Sequence, residues 1–180
     1  MARLILLNGA PAVGKSTLAR RYADDHAFAL ALDIDQVRRM LGRWREDTGT
    51  AGLLARSVAL AAARAHLESG HDVVVPQLVG RVEFIEQLAA TATASGAQFC
   101  EVYLVDEGAN IMRRFAERTR IAADPTHVDA GEMLEEAGLV AYVDRITALT
   151  ALRPDAVTIE AAPGDIEGTY RRLLAALDRE

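Results

Sequence analysis

Eight consecutive residues, Gly9-Ala10-Pro11-Ala12-Val13-Gly14-Lys15-Ser16, bring together two glycines, an ammonium and a hydroxyl. Among 20 basic residues in the chain, Lys15 is the one lysine; every other cation is arginine. An ammonium is a compact point charge on a flexible stem, whereas a guanidinium is a wide planar fork. A position that keeps lysine against such a bias has no room for the fork. The spacing G-x-x-x-x-G-K-S supplies the reason: loop N–H groups ring a phosphate, and the lysine reaches the β- and γ-phosphates through that ring. Gly9 and Gly14 offer backbone conformations closed to other residues, with Ala10, Pro11, Ala12 and Val13 between them. A helix that follows would aim its free N–H groups and positive dipole end at the anion. Ser16 has the hydroxyl expected to ligate Mg²⁺, and Thr17 falls near the α-phosphate region. Both can instead simply cap the helix. The donor implied is a nucleoside triphosphate, ATP, with Mg²⁺.

A second set of residues could handle an acceptor. Asp33 and Asp35 follow an apolar run, and ligands of open α/β sheets bind beyond the carboxyl ends of strands. A kinase acting on a hydroxyl benefits from a carboxylate that orients it and takes its proton. Asp35 is the first choice for that base and Asp33 the second, though either can cap the short helix that follows. Arg38, three residues after Asp35, can face the same pocket and hold an anionic or polar group. Trp44, the one tryptophan, sits between Arg43 and Arg45 and can stack on a ring, carry cation–π contacts or plug the core. Arg113, Arg114, Arg118 and Arg120 fall within eight residues, with Glu117 the one acid between them. Such a cluster repels itself unless an anion neutralises it, and phosphoryl transfer needs positive charge on the moving group. Arg118 and then Arg114 are the candidates. His127 reads as an exposed loop residue. His66 and His71 have no metal-ligand spacing with any Cys or acid cluster.

The elements that must position these groups follow from apolar patterning. Leu4–Leu7 reads as a buried strand, Lys15 to about Asp25 as a helix with Leu18, Ala19 and Tyr22 on one face, and Phe28–Leu32 as a second buried strand. Gln36–Leu41 is a short helix stopped by Gly42. Gly49–Gly52 is expected to be a loop, and Leu53–Glu68 an Ala-rich helix closed by Ser69-Gly70. Val73–Val75, Gln98–Val105 and Val157–Ile159 are further strands. Helices are expected over 81–93, 110–119, 131–150 and 165–177. Continuous apolar strands alternating with helices are the pattern of a parallel sheet covered on both faces.

Length and composition narrow the class. The 180 residues suit one domain, 1–180, able to bury about 70% of its unfolded surface. A net charge of −6 argues against a nucleic-acid surface. One cysteine, Cys100, permits no internal disulfide and reads as a small buried hydrophobe. The apolar start is too short for a signal-peptide core, and no stretch reaches the ~20 apolar residues of a membrane span, so a cytoplasmic protein is expected. No pattern sets an oligomeric state.

The loop at 9–16, Asp35-Gln36-Val37-Arg38 and the later Arg-rich helix together resemble P-loop small-molecule kinases. The nearest patterns are those of polynucleotide 5′-hydroxyl kinase and chloramphenicol phosphotransferase. The resemblance implies a nucleoside-monophosphate-kinase-like α/β fold: three αβα layers, a five-stranded parallel sheet of order 2-3-1-4-5, and a helical lid at about 107–130. It implies Asp35 as base, Arg38 on an acceptor phosphate, and Arg114 and Arg118 closing on the ATP phosphates. It also places the loop Ala161–Asp165, with Pro163 and Gly164, over the adenine; the residues themselves equally suit an ordinary turn with Asp165 as N-cap. In the Walker B position many such kinases have an Asp, whereas this chain has Pro76-Gln77. Gln77 can bond an acceptor or a metal-bound water, or merely satisfy loop backbone. The metal then relies on Ser16 and on Asp33 or another carboxylate. The expected activity is ATP- and Mg²⁺-dependent phosphorylation of a hydroxyl on a small molecule. The rivals are a 5′-hydroxyl nucleic-acid kinase and a non-catalytic ATP-binding regulatory module.

Overall fold

Helix α1 (Lys15–Asp25) follows strand β1 (Arg3–Gly9) after a five-residue loop, so the glycine-rich segment is a strand-to-helix turn. The computed structural model describes residues 1–106, 148–162 and 164–178. Their remaining elements are β2 (Leu30–Ala31), α2 (Ile34–Met40), α3 (Thr48–Glu68), β3 (Val73–Pro76), α4 (Val82–Ala94), β4 (Gln98–Val105), β5 (Val157–Glu160) and α5 (Ile166–Leu177). The strands form one parallel sheet of order β2-β3-β1-β4-β5, as the resemblance implied. The expected lid at about 107–130 lies outside the described residues.

Contacts divide the chain into two compact units. The first comprises residues 1–6, 19–77 and 81–100. Leu4–Leu6, Val73–Val75, Ile85, Leu88 and Ala92 are its buried centre. Leu30 pairs with Val73 and Ala31 with Val74. Asp72 ties this unit together: its carboxylate accepts from the Arg3 amide at 2.8 Å and from the Tyr22 hydroxyl at 2.6 Å. Burial, then the Asp72 bond, pushes the Tyr22 hydroxyl pKa well up. The second unit comprises residues 7–18, 78–80 and 101–180. Val102, Tyr103, Leu104, Ile159, Leu173 and Leu177 are buried in it, with Val102 paired to Val157 and Leu104 to Ile159.

Two expectations fail for local reasons. The second strand is not Phe28–Leu32 but Leu30–Ala31, and Phe28 is exposed with φ +61°. The Phe28 carbonyl turns to His66, whose ring Nε2 lies 2.7 Å away. A carbonyl only accepts, so Nε2 carries the proton. Residues 49–52 are not a loop but the first turn of α3. Asp47 caps that helix through its Oδ1, which accepts from the Thr50 amide at 2.9 Å. The cap, and packing of Ala51 and Ala55, outweigh the helix cost of glycine, about 1 kcal/mol each.

Helix α3 buries a ridge of Ala51, Ala55, Ala59, Ala63 and Leu67, four residues apart. It packs against α2 and α4. A ridge of methyl groups lets neighbouring helices approach closely, and one of those neighbours, α2, carries Asp35 and Arg38. Ala59 is 1% exposed, so Ala59→Leu must overpack this contact. Urea unfolding is expected to show a loss of about 1–3 kcal/mol; an unchanged midpoint and slope would mean that the ridge is not tightly packed.

Candidate active site

The loop after β1 owes its shape to a close approach. Gly9 has φ +145°, and a β-carbon built there would lie 2.5 Å from the Leu104 carbonyl oxygen. No side chain fits. Gly14 has φ +106° with open space beside its α-carbon, so its requirement is conformational. Ala12 sits at φ +64°, a left-handed geometry that costs a non-glycine residue about 1–2 kcal/mol. Strain of this kind gathers at functional sites.

Lys15 closes the loop. Its Nζ donates to the Gly9 carbonyl at 2.9 Å and the Ala10 carbonyl at 2.7 Å. A compact, rotatable ammonium suits convergence on two successive carbonyls inside so short a loop. The first α-helical bond of α1 runs from the Leu18 amide to the Gly14 carbonyl at 3.0 Å. The first turn of a helix leaves amide donors outside the i→i−4 ladder. A loop of this kind, with a lysine inside and a helix N-terminus behind, is built to hold a phosphate anion. Ser16 stands in the first helical turn, half-buried, and Thr17 is exposed.

Behind the loop lies a polar network that the sequence reading missed. Asn8 is fully buried. Its side chain accepts from the amides of Gly9, at 2.8 Å, and Val79, at 3.0 Å, while its Nδ2 donates to the Val79 carbonyl at 3.0 Å. One carboxamide thus fixes both the first loop residue and the segment 78–80. Nearby in β4, Glu101 is buried, accepts from the Tyr103 hydroxyl at 2.7 Å, and pairs with Arg153 at 2.8 Å. Burial foremost, then the bond to Glu101, raises the Tyr103 pKa; Asn8 and the charge of Arg153 oppose the shift. A polar residue at each of these buried strand positions was the available signal.

The acceptor candidates gather in the first unit. Asp33 is the N-cap of α2, its Oδ1 accepting from the amides of Asp35 at 3.0 Å and Gln36 at 3.4 Å. Burial pushes its carboxyl above the ordinary value; the charge of Asp35 adds, while the two amides and Arg20 oppose. Asp35 and Arg38 form an ion pair at 3.3 Å across one helical turn. The Arg38 side chain is only 15% exposed, and its Nε is buried without a hydrogen-bond partner among the described residues. Its guanidinium lies 4.9 Å from the centroid of Trp44, and that of Arg45 lies 4.4 Å from it. Trp44 itself is buried. The side-chain oxygen of Gln77 is likewise buried and unpartnered among the described residues, while its amide bonds the Val75 carbonyl at 3.1 Å.

Other candidates are placed differently. Asp165 caps α5, its Oδ1 accepting from the Gly168 amide at 2.8 Å, and Gly164 has φ +76°. That is the geometry of a capped turn. Arg113, Arg114, Arg118, Arg120, His127 and Pro163 lie outside the described residues. Among the described residues no group of His, Cys, Asp and Glu could hold a metal ion, and no helix is long and apolar enough to cross a membrane.

A parallel sheet of this strand order, whose first strand delivers a glycine-rich, lysine-bearing loop to a helix, defines a P-loop kinase-like domain. More particularly, the chain belongs to the AAA domain family, whose sequence profile matches residues 4–137. No curated protein gives a significant match. Among solved structures, the chain is similar to a candidate kinase from Chloroflexus aurantiacus j-10-fl, with TM-score 0.70, 19% identity, and coverage of 99% of this chain and 97% of that one. It is also similar to Kti12 of Chaetomium thermophilum in complex with ADP-AlF3, with TM-score 0.66, 20% identity and coverage of 98% and 97%. A third likeness is to the APS kinase CysC of Mycobacterium tuberculosis in complex with AMPPNP and APS, with TM-score 0.65, 17% identity and coverage of 98% of each chain. At these identities the likeness is one of fold.

Two tests follow from the geometry. Gly9→Ala forces a β-carbon against a main-chain oxygen, so thermal or urea unfolding is expected to show a loss of at least about 2 kcal/mol; wild-type stability would contradict the close approach. Asp33→Asn keeps a good cap but no longer titrates. Because the folded pKa of Asp33 is raised, wild-type stability is lost as pH climbs from the unfolded value, about 3.9, through the folded one. The variant is therefore expected to gain on wild type across that window and then level off. A pH-independent difference in unfolding free energy would contradict the raised pKa.

Proposed function

We propose that this protein is an ATP- and Mg²⁺-dependent kinase that phosphorylates a hydroxyl on a small molecule, acting as one domain over residues 1–180. The observation that carries the reading is the loop itself: a strained, glycine-bounded turn with Lys15 inside and the end of α1 behind. This donor set suits a polyphosphate. Loop amides and Lys15 would hold the β- and γ-phosphates, and the Ser16 hydroxyl would be the protein's ligand for Mg²⁺. Mg²⁺ there would supply positive charge against the phosphates' own.

In this reading Asp35 accepts the proton of the acceptor hydroxyl as its oxygen attacks the γ-phosphorus, and ADP leaves. Asp33, already spent on capping α2, fixes the helix that carries the base. Arg38 holds an oxygen of the acceptor: a buried guanidinium whose Nε has no partner among the described residues has a strong preference for an anionic one. The Gln77 side-chain oxygen, unpartnered among the described residues, suits a hydroxyl or N–H donor on the same kind of molecule. Arg114 and Arg118 are assigned to the transferring phosphoryl group, and Gly164 with Pro163 to the adenine end. Trp44 belongs to the acceptor side. The working compartment is the cytoplasm.

The test is acceptor-dependent ADP release across hydroxyl-bearing metabolites, antibiotics and a short 5′-hydroxyl oligonucleotide. Transfer to a small molecule supports the proposal. Transfer to the oligonucleotide alone, or ATP binding with no transfer to any of them, overturns it. With an active acceptor in hand, Asp35→Asn is expected to keep ATP affinity and lower kcat at least about a hundredfold. Unchanged turnover in that variant removes Asp35 as the base.

A further inference from the structure

Arg38 is held in an unusual way for a buried cation. Its salt bridge to Asp35 spans 3.3 Å. Its Nε has no hydrogen-bond partner among the described residues. What covers the guanidinium is Trp44, the one tryptophan of the chain, with the Arg38 Cζ 4.9 Å from the ring centroid. Trp44 is 8% exposed, so it offers little surface on which a substrate ring could stack. An indole interacts with a guanidinium through its electron-rich face and takes none of the in-plane N–H donors. A carboxylate or carbonyl in the same place would consume them.

We infer that Trp44 is a positioning residue: it holds the Arg38 guanidinium through its face while Asp35 takes Nη2, and so leaves Nε, which has no partner among the described residues, for an oxyanion on the acceptor. The inference rests on the proposal that Arg38 contacts the acceptor. Arg45, whose guanidinium also lies within 4.4 Å of the indole, adds positive charge to the same ring and favours an anion further. The ligand class is therefore a hydroxyl compound bearing a phosphate, sulfate or carboxylate, not a neutral sugar or a flat aromatic ring.

The experiment uses inorganic phosphate as the oxyanion and AMPPNP with Mg²⁺ to fill the loop at 9–16. The Arg38 Nε–H resonance is identified in ¹⁵N NMR spectra by its loss in Arg38→Met, and phosphate is titrated. In wild type the resonance is expected to shift saturably, and Trp44 emission to change with the same Kd. Trp44→Phe, which keeps an aromatic face, is expected to stay within about threefold of that Kd. Trp44→Leu is expected to weaken phosphate binding about three- to thirtyfold, with AMPPNP affinity unchanged. A residue that only fills the core would lower thermal stability in both variants without separating the two affinities. If Trp44→Leu does not fold, the wild-type titration still decides, since Trp44 emission unmoved by phosphate overturns the inference. So does equal phosphate affinity in a folded Trp44→Leu protein. Phosphate binding that depends on Trp44, in a protein that transfers no phosphoryl group, supports this inference and removes the kinase reading instead.

Discussion

The structure depends most on the approach of the Gly9 backbone to the Leu104 carbonyl, closer than any side chain permits. That contact sets where β1 ends and where the loop must begin to turn. Asn8 locks the same point from within by bonding the amides of Gly9 and Val79. With the start of the loop fixed and α1 fixed at its end, the five residues between have little freedom. Ala12 accepts a left-handed conformation as a result, and Lys15 finds two carbonyls within reach. Order at the strand-to-helix junction is thus imposed by packing, and the phosphate-binding geometry follows from it.

The acceptor side is organised on a different principle. A carboxylate, a guanidinium and an indole lie in sequence along α2 and the turn after it, and they are arranged by charge instead of close packing. Asp33 spends its hydrogen bonds on the backbone of α2, which frees Asp35 to face Arg38. Burial raises the pKa of Asp33, so the cap is bought at some electrostatic cost. Arg38 in turn has an Nε without a partner among the described residues. Buried polar atoms without partners are rare in folded proteins. Two of them, on Arg38 and Gln77, fall on residues that the sequence had already marked for the acceptor.

Much of this was legible before any coordinates. The parallel sheet could be read because its central strands are unbroken apolar runs, and α1 because Leu18, Ala19 and Tyr22 repeat at helical spacing. The Asp35–Arg38 pair could be read because three residues make one turn. What was not legible depended on contacts between distant residues. Phe28 looked like a strand residue by type, yet its carbonyl is held by His66, 38 residues away. Gly49 and Gly52 looked like loop by propensity, yet a single cap at Asp47 and an alanine ridge carry the helix through them. Asn8 fell just past the strand read as Leu4–Leu7, and Glu101 and Tyr103 inside the strand read as Gln98–Val105; each is a polar type at a buried position, but its partner lies on another element or two residues away and is known only from the fold. The likeness to a P-loop kinase rested on one specific motif, and the family profile over residues 4–137 extends it through most of the chain.

The central claim is that the loop at 9–16 is shaped around a lysine ammonium that reaches a nucleotide's phosphates. Replacing that one lysine by the cation used everywhere else in the chain tests it most directly. Lys15→Arg keeps the charge and changes only its shape. The account predicts a folded protein whose ATP affinity, measured by calorimetry with Mg²⁺ present, falls at least about tenfold, since a planar fork cannot replace a point charge inside the loop. Wild-type ATP affinity in Lys15→Arg would contradict it.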